Sequence, residues 1–115
     1  YEIMVLAGVV LGAAESHIPV LVDGFISTSA YAVAHAFCPA VAEYSFLAHA
    51  SAEPGYVLVT ECMKQKPLLQ LEFRLGEGTG CAAAFPLLRA SAAIYNEMAT
   101  FSGANVTGTV TQPVA

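Results

Sequence analysis

The sequence predicts an α/β fold that contains part of a parallel β-sheet. Segments with apolar residues at helical intervals alternate with short continuous apolar runs, and the first half of the chain has the order helix, strand, helix, strand. Such continuous runs are typical of strands that are buried on both faces of a parallel sheet. Polar or glycine residues follow these runs, at the end of the sheet where α/β proteins bind their ligands.

The first helix is predicted over residues 2–16. Apolar residues recur there at intervals of three and four, and the small residues between them would permit close packing, so we expect a buried helix. Pro19 blocks its continuation. The apolar run at residues 20–22 then predicts the first strand, which Asp23 and Gly24 end.

The second helix and the second strand repeat this pattern. We expect Ser27, Thr28 or Ser29 to cap a helix that runs towards Pro39, because hydroxyl side chains accept hydrogen bonds from free N–H groups at a helix start. The apolar run at residues 46–48 predicts the second strand.

The second half of the chain continues the alternation less regularly. Pro54, in a turn at residues 51–55, can open a third helix, which we expect to end at Pro67. Apolar and polar residues alternate over residues 69–73, which predicts a strand with one wet face.

The last predicted helix covers residues 81–98, which are small and apolar enough for close packing, with Pro86 near its start. The tail from Ser102 has no periodicity, and we expect it to be at the surface or disordered.

The composition indicates a chain that is largely covered by other protein. Its 115 residues fit one small domain or a piece of a larger one. Hydrophobic residues make up 57% and charged residues 11%, and the charged share is about half that of an average soluble domain. We therefore interpret the chain as a portion of a larger polypeptide.

The charge distribution excludes two classes of partner. The net charge of −5, with only four Lys and Arg, argues against nucleic-acid binding, which draws on many cations. The longest uncharged run, between Asp23 and Glu43, approaches the roughly 20 residues that span a bilayer. Hydroxyl, histidine and proline residues interrupt it, so we expect no membrane span.

Cysteine and histidine residues show no ligand spacing. Cys38, Cys62 and Cys81 are widely separated and form no CxxC pair, which predicts buried, reduced thiols of an intracellular protein. The three histidines lack the HExxH spacing or anything similar, so we predict no metal site and expect each histidine to be structural or exposed.

Three polar segments are expected to converge on one pocket. Asp23 with Gly24, residues 49–53 and residues 76–80 each follow an apolar extended run. Because the carboxyl ends of parallel strands meet at one edge of the sheet, these segments should lie close together there.

The third segment, RLGEGTG at residues 74–80, holds Glu77 between Gly76 and Gly78. The glycines could let the backbone approach a ligand closely or adopt positive φ, with Glu77 projecting into a site. Alternatively, Glu77 is an exposed acid favoured by the dipole of the next helix, and the glycines make a turn. The spacing leaves both interpretations open, and GEGTG does not match the dinucleotide-binding GxGxxG motif.

The motifs VLVDGFISTSA, HASAEPG and LEFRLGEGTG, followed by an alanine-rich stretch and NEMATF, are recognisable in this order and at these separations. They closely resemble the last third of the nicotinate-nucleotide:dimethylbenzimidazole phosphoribosyltransferase family, and RLGEGTG is the most specific element. The resemblance implies a homodimer in which a Rossmann-like α/β large domain is joined by a small helical domain. Residues 1–80 would belong to the large domain and residues 81–115 to the small one.

The resemblance also implies a function. A cytoplasmic enzyme of cobalamin biosynthesis would transfer phosphoribose from nicotinate mononucleotide to 5,6-dimethylbenzimidazole, giving α-ribazole 5′-phosphate and nicotinate. Glu77 matches the catalytic base of the family, and the reaction needs neither a metal nor a cofactor, because the leaving group is already a cationic pyridinium. Further substrate-binding candidates surround the base or line the nucleotide side: Leu75, Gly76, Gly78, Asp23, Gly24, Ser51 and Glu53.

One part of the family pattern is not found in this sequence. The phosphate-binding loop of the family lies upstream of the matching part, so we expect the chain to need the rest of the enzyme and to be inactive alone. Two alternatives stay open. The chain could be a non-catalytic ligand-binding or assembly module, or part of a different nucleotide-binding α/β enzyme in which Glu77 caps a helix.

Overall fold

The computed structural model describes residues 1–106. The fold is α/β, and the predicted order of helix, strand, helix, strand is confirmed. In chain order, the elements are α1 (Glu2–Glu15), β1 (Val20–Asp23), α2 (Gly24–Phe37), a 3₁₀-helix (Pro39–Glu43), β2 (Ser45–His49), α3 (Pro54–Cys62) and α4 (Thr79–Glu97).

The two strands are parallel, as the continuous apolar runs predict. Val22 lies opposite Leu47, and an irregularity in the register after Val22 places Asp23 opposite His49. Parallel strands need a long crossover connection, which α2 and the 3₁₀-helix supply. Both strands therefore end at the same edge of the sheet, where Asp23 and His49 are neighbours.

The core lies where α1, α2 and the 3₁₀-helix pack together and onto the strands. Its buried members come from all five of these elements: Ala7, Val10, Val22, Tyr31, Ala34, Val41 and Leu47. Helix α4 contacts both strands, which it reaches through its first turns. The sheet is thus held between its own crossover and a helix from much later in the chain.

Helix α1 has nearly the predicted bounds, but the prediction that it is buried is wrong for the described residues. Ala7 and Val10 face the core, whereas Met4 is 60% exposed and Val9 is 57% exposed. A Cβ atom added to Gly12 would have no described atom within 4 Å. One side of α1 therefore offers an apolar face that residues 1–106 do not cover.

Helix α2 starts earlier than predicted. It begins at Gly24, so Ser27, Thr28 and Ser29 lie inside the helix rather than at its cap, and that prediction is wrong. Their hydroxyls donate to carbonyls of the preceding turn, as from Thr28 to Gly24 at 2.6 Å and from Ser29 to Phe25 at 2.9 Å. A hydroxyl inside a helix can donate to the carbonyl four residues earlier, and a hydroxyl at the N-cap can accept from a free N–H group. The sequence alone does not distinguish these two positions.

Helix α3 begins at Pro54 as predicted but ends at Cys62, well before Pro67. The strand predicted over residues 69–73 is wrong. Its only described bridge joins Leu69 to His49 in parallel orientation, and the later residues leave the sheet. The N–H groups of Leu71 and Phe73 bond to the side chain of His49 instead of to a neighbouring strand.

Helix α4 confirms the last predicted helix and starts at Thr79, two residues earlier than expected. Pro86 therefore lies inside the helix and not near its start. Because proline has no N–H group, the carbonyl of Ala82 receives no helical hydrogen bond from residue 86. The tail from Ser102 is exposed as far as Val106, and the rest of that prediction falls on residues outside those described.

The thiols are free, but the prediction that they are buried is wrong for two of them. Cys38 and Cys62 are exposed, and Cys81 is half-buried with its Sγ 3.4 Å from the carbonyl oxygen of Leu21. Burial raises the pKa of Cys81, and the neighbouring Asp23 carboxylate adds to this effect. Among the described residues, no helix has both the length and the apolar character needed to cross a membrane.

Tyr56 of α3 is buried, and its hydroxyl has no hydrogen-bond partner within residues 1–106. Burial, with a smaller contribution from Asp23, raises the pKa of Tyr56 to about 12 from an ordinary value of 10.0. Folding therefore favours the neutral phenol. The stability of the fold is therefore unaffected by this ionisation below about pH 10 and falls as the pH rises towards 12, because the unfolded chain ionises first.

We predict that Tyr56→Phe is at least as stable as the parent chain at pH 8, because an unpaired buried hydroxyl costs about 1–3 kcal/mol. The variant should also lose less stability between about pH 10 and 12, as measured by urea unfolding across that range. Tyr95→Phe is the control, since Tyr95 is 90% exposed and its replacement should leave the pH dependence unchanged. Equal alkaline slopes for Tyr56→Phe and the parent would contradict this account.

Candidate active site

A cavity of about 530 Å³ opens beyond the carboxyl ends of β1 and β2. Residues from three segments line it, at 23–26, 49–53 and 73–79. The two strand ends supply the first two segments, and the third comes from the loop that leads into α4. The predicted convergence of three loops on one pocket is confirmed.

The structure brings most of the predicted site residues together in this cavity. Those that line it are Asp23, Gly24, Ser51, Glu53, Gly76, Glu77 and Gly78. Leu75 is not among the lining residues, and its side chain is 75% exposed.

A turn with unusual backbone geometry carries Glu77. Gly76, Glu77 and Gly78 all have left-handed φ angles, of 78°, 56° and 77°. The carbonyl of Gly76 closes the turn by accepting from the Thr79 N–H at 3.0 Å and from the Thr79 hydroxyl at 2.8 Å. Added Cβ atoms at the two glycines would meet no described atom, so the φ angles, and not a lack of space, require glycine there.

The side chain of Glu77 is exposed at the edge of the cavity. Within residues 1–106, its carboxylate makes no hydrogen bond. Gly78 is the N-cap of α4, so Glu77 lies just outside the helix. The glycines do make a turn, as one of the two interpretations holds, and that turn leaves the carboxylate free to contact a molecule in the cavity.

Asp23, at the end of β1, caps the start of α4 with its side chain. The N-cap Gly78 has no side chain to accept from the free N–H groups of the first turn. The Oδ2 atom of Asp23 takes this role and accepts from the Gly80 N–H at 2.9 Å. A Cβ atom on Gly80 would lie 2.7 Å from both Cγ of Asp23 and Cβ of His49, so only glycine lets the helix approach the strand ends so closely.

His49 is buried at the end of β2 and holds the chain that precedes the turn. Its Nε2 atom accepts hydrogen bonds from the N–H groups of Leu71 at 3.0 Å and Phe73 at 3.3 Å. Its ring also stacks on Phe73, with centroids 4.9 Å apart and planes at 20°. Because Nε2 accepts, these bonds need the neutral imidazole with its proton on Nδ1.

The sequence analysis missed several residues that line the cavity. Phe25, Ile26 and Phe73 give it an apolar wall, and Arg74 lies beside the turn. Phe25 and Ile26 could have been predicted to line the cavity, because they follow Asp23 and Gly24 directly in the sequence. No local pattern marks Phe73, because its place depends on a contact with a residue 24 positions earlier.

The charges and the walls of the cavity define what it can do. Three carboxylates, Asp23, Glu53 and Glu77, face it together with one cation, Arg74. An apolar wall beside a free carboxylate suits a flat ring that gives up a proton or gains positive charge. Within residues 1–106, no group of three or more His, Cys, Asp or Glu residues is placed to hold a metal ion.

The family model described as phosphoribosyltransferase matches residues 1–106. The chain belongs to this family. It is 57% identical over 105 residues to the nicotinate-nucleotide–dimethylbenzimidazole phosphoribosyltransferase of Solidesulfovibrio magneticus and 56% identical over 106 residues to that of Oleidesulfovibrio alaskensis. These matches cover 91% and 92% of the chain.

A solved structure of the same family is also similar to this chain. The crystal structure of the enzyme of this name from Thermus thermophilus superposes with a TM-score of 0.83 at 40% identity. The match covers 93% of this chain and 32% of the other. The chain also spans only 30% of the length of the two curated relatives.

The close approach of α4 to the strand ends generates a stability prediction. Gly80→Ala should destabilise the chain by about 1–3 kcal/mol, because its Cβ atom would overlap Asp23 and His49. Gly12→Ala, the same change in open space on α1, should instead stabilise it by about 0.5–1 kcal/mol. Urea unfolding of both variants of this chain measures the difference. Similar stabilities would mean that α4 does not pack so closely on the strand ends.

Proposed function

We propose that this chain corresponds to the last third of an enzyme that transfers phosphoribose from nicotinate mononucleotide to 5,6-dimethylbenzimidazole. The products are α-ribazole 5′-phosphate and nicotinate. The proposal rests above all on the free carboxylate of Glu77, which a left-handed turn presents at a cavity with an aromatic wall. The names of the relatives and membership of the phosphoribosyltransferase family support it.

In the proposed mechanism, Glu77 is the general base. One ring nitrogen of dimethylbenzimidazole attacks the anomeric carbon and forms the new C–N bond with inversion, while the C–N bond to nicotinate breaks. The electron pair of that bond neutralises the pyridinium ring. Glu77 takes the proton from the other ring nitrogen, which keeps the attacking nitrogen nucleophilic, and such assistance is worth about 10²–10⁴-fold.

The remaining site residues have supporting roles in this proposal. Phe25, Ile26 and Phe73 form a wall against which a flat ring can lie. Gly76 and Gly78 shape the turn, and the exposed Leu75 is available to cover the ring from outside the described cavity. The nucleotide side is assigned to Asp23, Gly24, Ser51 and Glu53, although the Ser51 hydroxyl also accepts from the Glu53 N–H at 3.3 Å.

The rest of the enzyme must supply what this part lacks. Arg74 is the one cation among the described residues that line the cavity, so we assign the phosphate of the nucleotide to residues outside this chain. The substrates are small molecules, and we propose a cytoplasmic homodimer that binds neither nucleic acid nor membrane.

We further propose that the chain joins two domains, with residues 1–80 in a Rossmann-like large domain and residues 81–115 in a small helical domain. Helix α4 supports this division, since Ala84 is buried whereas Tyr95 and Met98 near its end are 90% and 69% exposed. The start of α4 packs on the sheet of the large domain, and in this division the later turns of the helix, from about Pro86, would extend into the small domain.

A non-catalytic ligand-binding or assembly module is the second candidate. The shortage of cations around the cavity favours it for the isolated chain, because a ring pocket without a phosphate site could bind an aromatic base but not a nucleotide. Membership of the phosphoribosyltransferase family weakens the case for an unrelated nucleotide-binding enzyme.

The first test replaces Glu77 in the complete protein. Glu77→Gln keeps the shape of the side chain but cannot accept the proton, so kcat should fall about 10²-fold or more while dimethylbenzimidazole still binds. The measurements are kcat, the dissociation constant for dimethylbenzimidazole and the melting temperature. A helix cap would behave differently, with unchanged kcat and a stability loss of about 0.3–1 kcal/mol.

Glu72→Gln provides a matched control for this test. Glu72 is exposed and has a φ of 56°, like Glu77, but it does not line the cavity. Its replacement should leave kcat unchanged. If the two variants behave alike, Glu77 is not the base.

The second test concerns the chain by itself. We predict that the purified chain neither remains monomeric nor forms α-ribazole phosphate, because apolar surfaces around Met4, Val9 and Tyr95 are exposed and the phosphate site is supplied elsewhere. Sedimentation velocity gives the association state, and product analysis gives the activity. A compact, stable monomer would refute the first part of this prediction, and product formed by the chain alone would refute the second.

A further inference from the structure

The loop that carries Glu77 is held at both ends by side chains from the two strand ends. Before the turn, Nε2 of His49 accepts from the N–H groups of Leu71 and Phe73. After the turn, Oδ2 of Asp23 accepts from the Gly80 N–H. Asp23 and His49 lie opposite each other in the register of β1 and β2, so both anchors belong to one rigid edge.

We propose that Asp23 and His49 are positioning residues that together fix where the Glu77 carboxylate lies during the reaction. This inference rests on the function proposed above. Neither side chain needs to touch the substrate for this role, because each acts on the backbone of the loop. It gives Asp23 a task different from lining the nucleotide side.

The segment between the anchors has little else to hold it. Within residues 1–106, the backbone hydrogen bonds of residues 74–78 are the turn bond from the Thr79 N–H to Gly76 and the first bond of α4, from the Ala82 N–H to Gly78, both at 3.0 Å. The segment is exposed apart from Thr79, and Glu77 adopts a φ that side chains with a Cβ rarely favour. Without both anchors, this loop would leave its conformation easily.

The chemistry makes small displacements of Glu77 costly. A general base works within hydrogen-bond reach of the proton that it removes, and a misplacement of about 1 Å can lower the rate about 10²-fold. The anchors are well suited to prevent such a shift. His49 is buried and stacks on Phe73, and the Asp23 carboxylate accepts from the first turn of α4, where the helix dipole strengthens the bond.

The test compares variants that lose or keep the acceptor atom, in the complete protein. His49→Phe keeps a ring that can stack on Phe73 but has no acceptor, and Asp23→Ala has none either. Both should lower kcat about 10-fold or more while the dissociation constant of dimethylbenzimidazole changes little. His49→Gln and Asp23→Asn keep an acceptor oxygen and should recover most of the loss.

A second set combines each change with Glu77→Gln. If the anchors act by placing the Glu77 carboxylate, their loss should slow the reaction no further once that carboxylate is absent. A merely structural residue would add its own effect. Thr60→Val is the structural control, because it loses a buried hydrogen bond to Val57 on α3 and should lower the melting temperature without changing kcat.

The outcomes separate the two proposals. Unchanged kcat in His49→Phe and Asp23→Ala, or slowing that multiplies with that of Glu77→Gln, overturns the positioning role alone. Unchanged kcat in the single variant Glu77→Gln instead overturns the proposed function. If Asp23→Ala or His49→Phe does not fold, Asp23→Asn and His49→Gln still decide, because a large loss of kcat in these folded variants contradicts a role that needs only an acceptor.

Discussion

The hydrogen bond between the Gly80 N–H and the Asp23 carboxylate connects parts of the chain that are 57 residues apart. It joins the end of β1 to the first turn of α4, and it replaces the cap that Gly78 cannot provide. This bond contributes to the position of α4 on the sheet, together with the buried Ala84, and it holds the end of the loop that precedes α4. The apolar core under α1 and α2 holds the strands, but it does not by itself determine where Glu77 lies.

The glycines of RLGEGTG meet two different physical requirements. Gly76 and Gly78 have positive φ in open space, so they are needed for the direction of the backbone. Gly80 is helical and is needed because a Cβ atom would collide with Asp23 and His49. A turn that presents a carboxylate and a helix that packs closely on the strand ends therefore occur within five residues. This explains why the acid is surrounded by residues without side chains, whatever its chemical role.

The sequence was sufficient for features that depend on local patterns. Apolar periodicity predicted α1, the small and apolar composition of residues 81–98 predicted α4, and continuous apolar runs predicted both strands, because each of these signals lies within one segment of the chain. It was insufficient where a side chain far along the chain decides the structure. Residues 69–73 alternate like a strand, yet the N–H groups of Leu71 and Phe73 are satisfied by the imidazole of His49 and not by a neighbouring strand. The site was predictable to the level of three converging segments, and its aromatic wall and anchors were not.

A chain that spans only 30% of the length of its relatives can still contain a formed cavity. The contacts that shape it, between the two strand ends and the loop before α4, all lie within residues 1–106. What these residues do not provide is cover for the outer faces of α1 and α4, or enough positive charge for a phosphate. Contacts among the described residues thus set the geometry near the carboxylate, whereas they leave the outer faces of α1 and α4 uncovered. A change at Asp23, His49 or Gly80 should therefore disturb the cavity directly, whereas a change on the exposed faces acts through assembly.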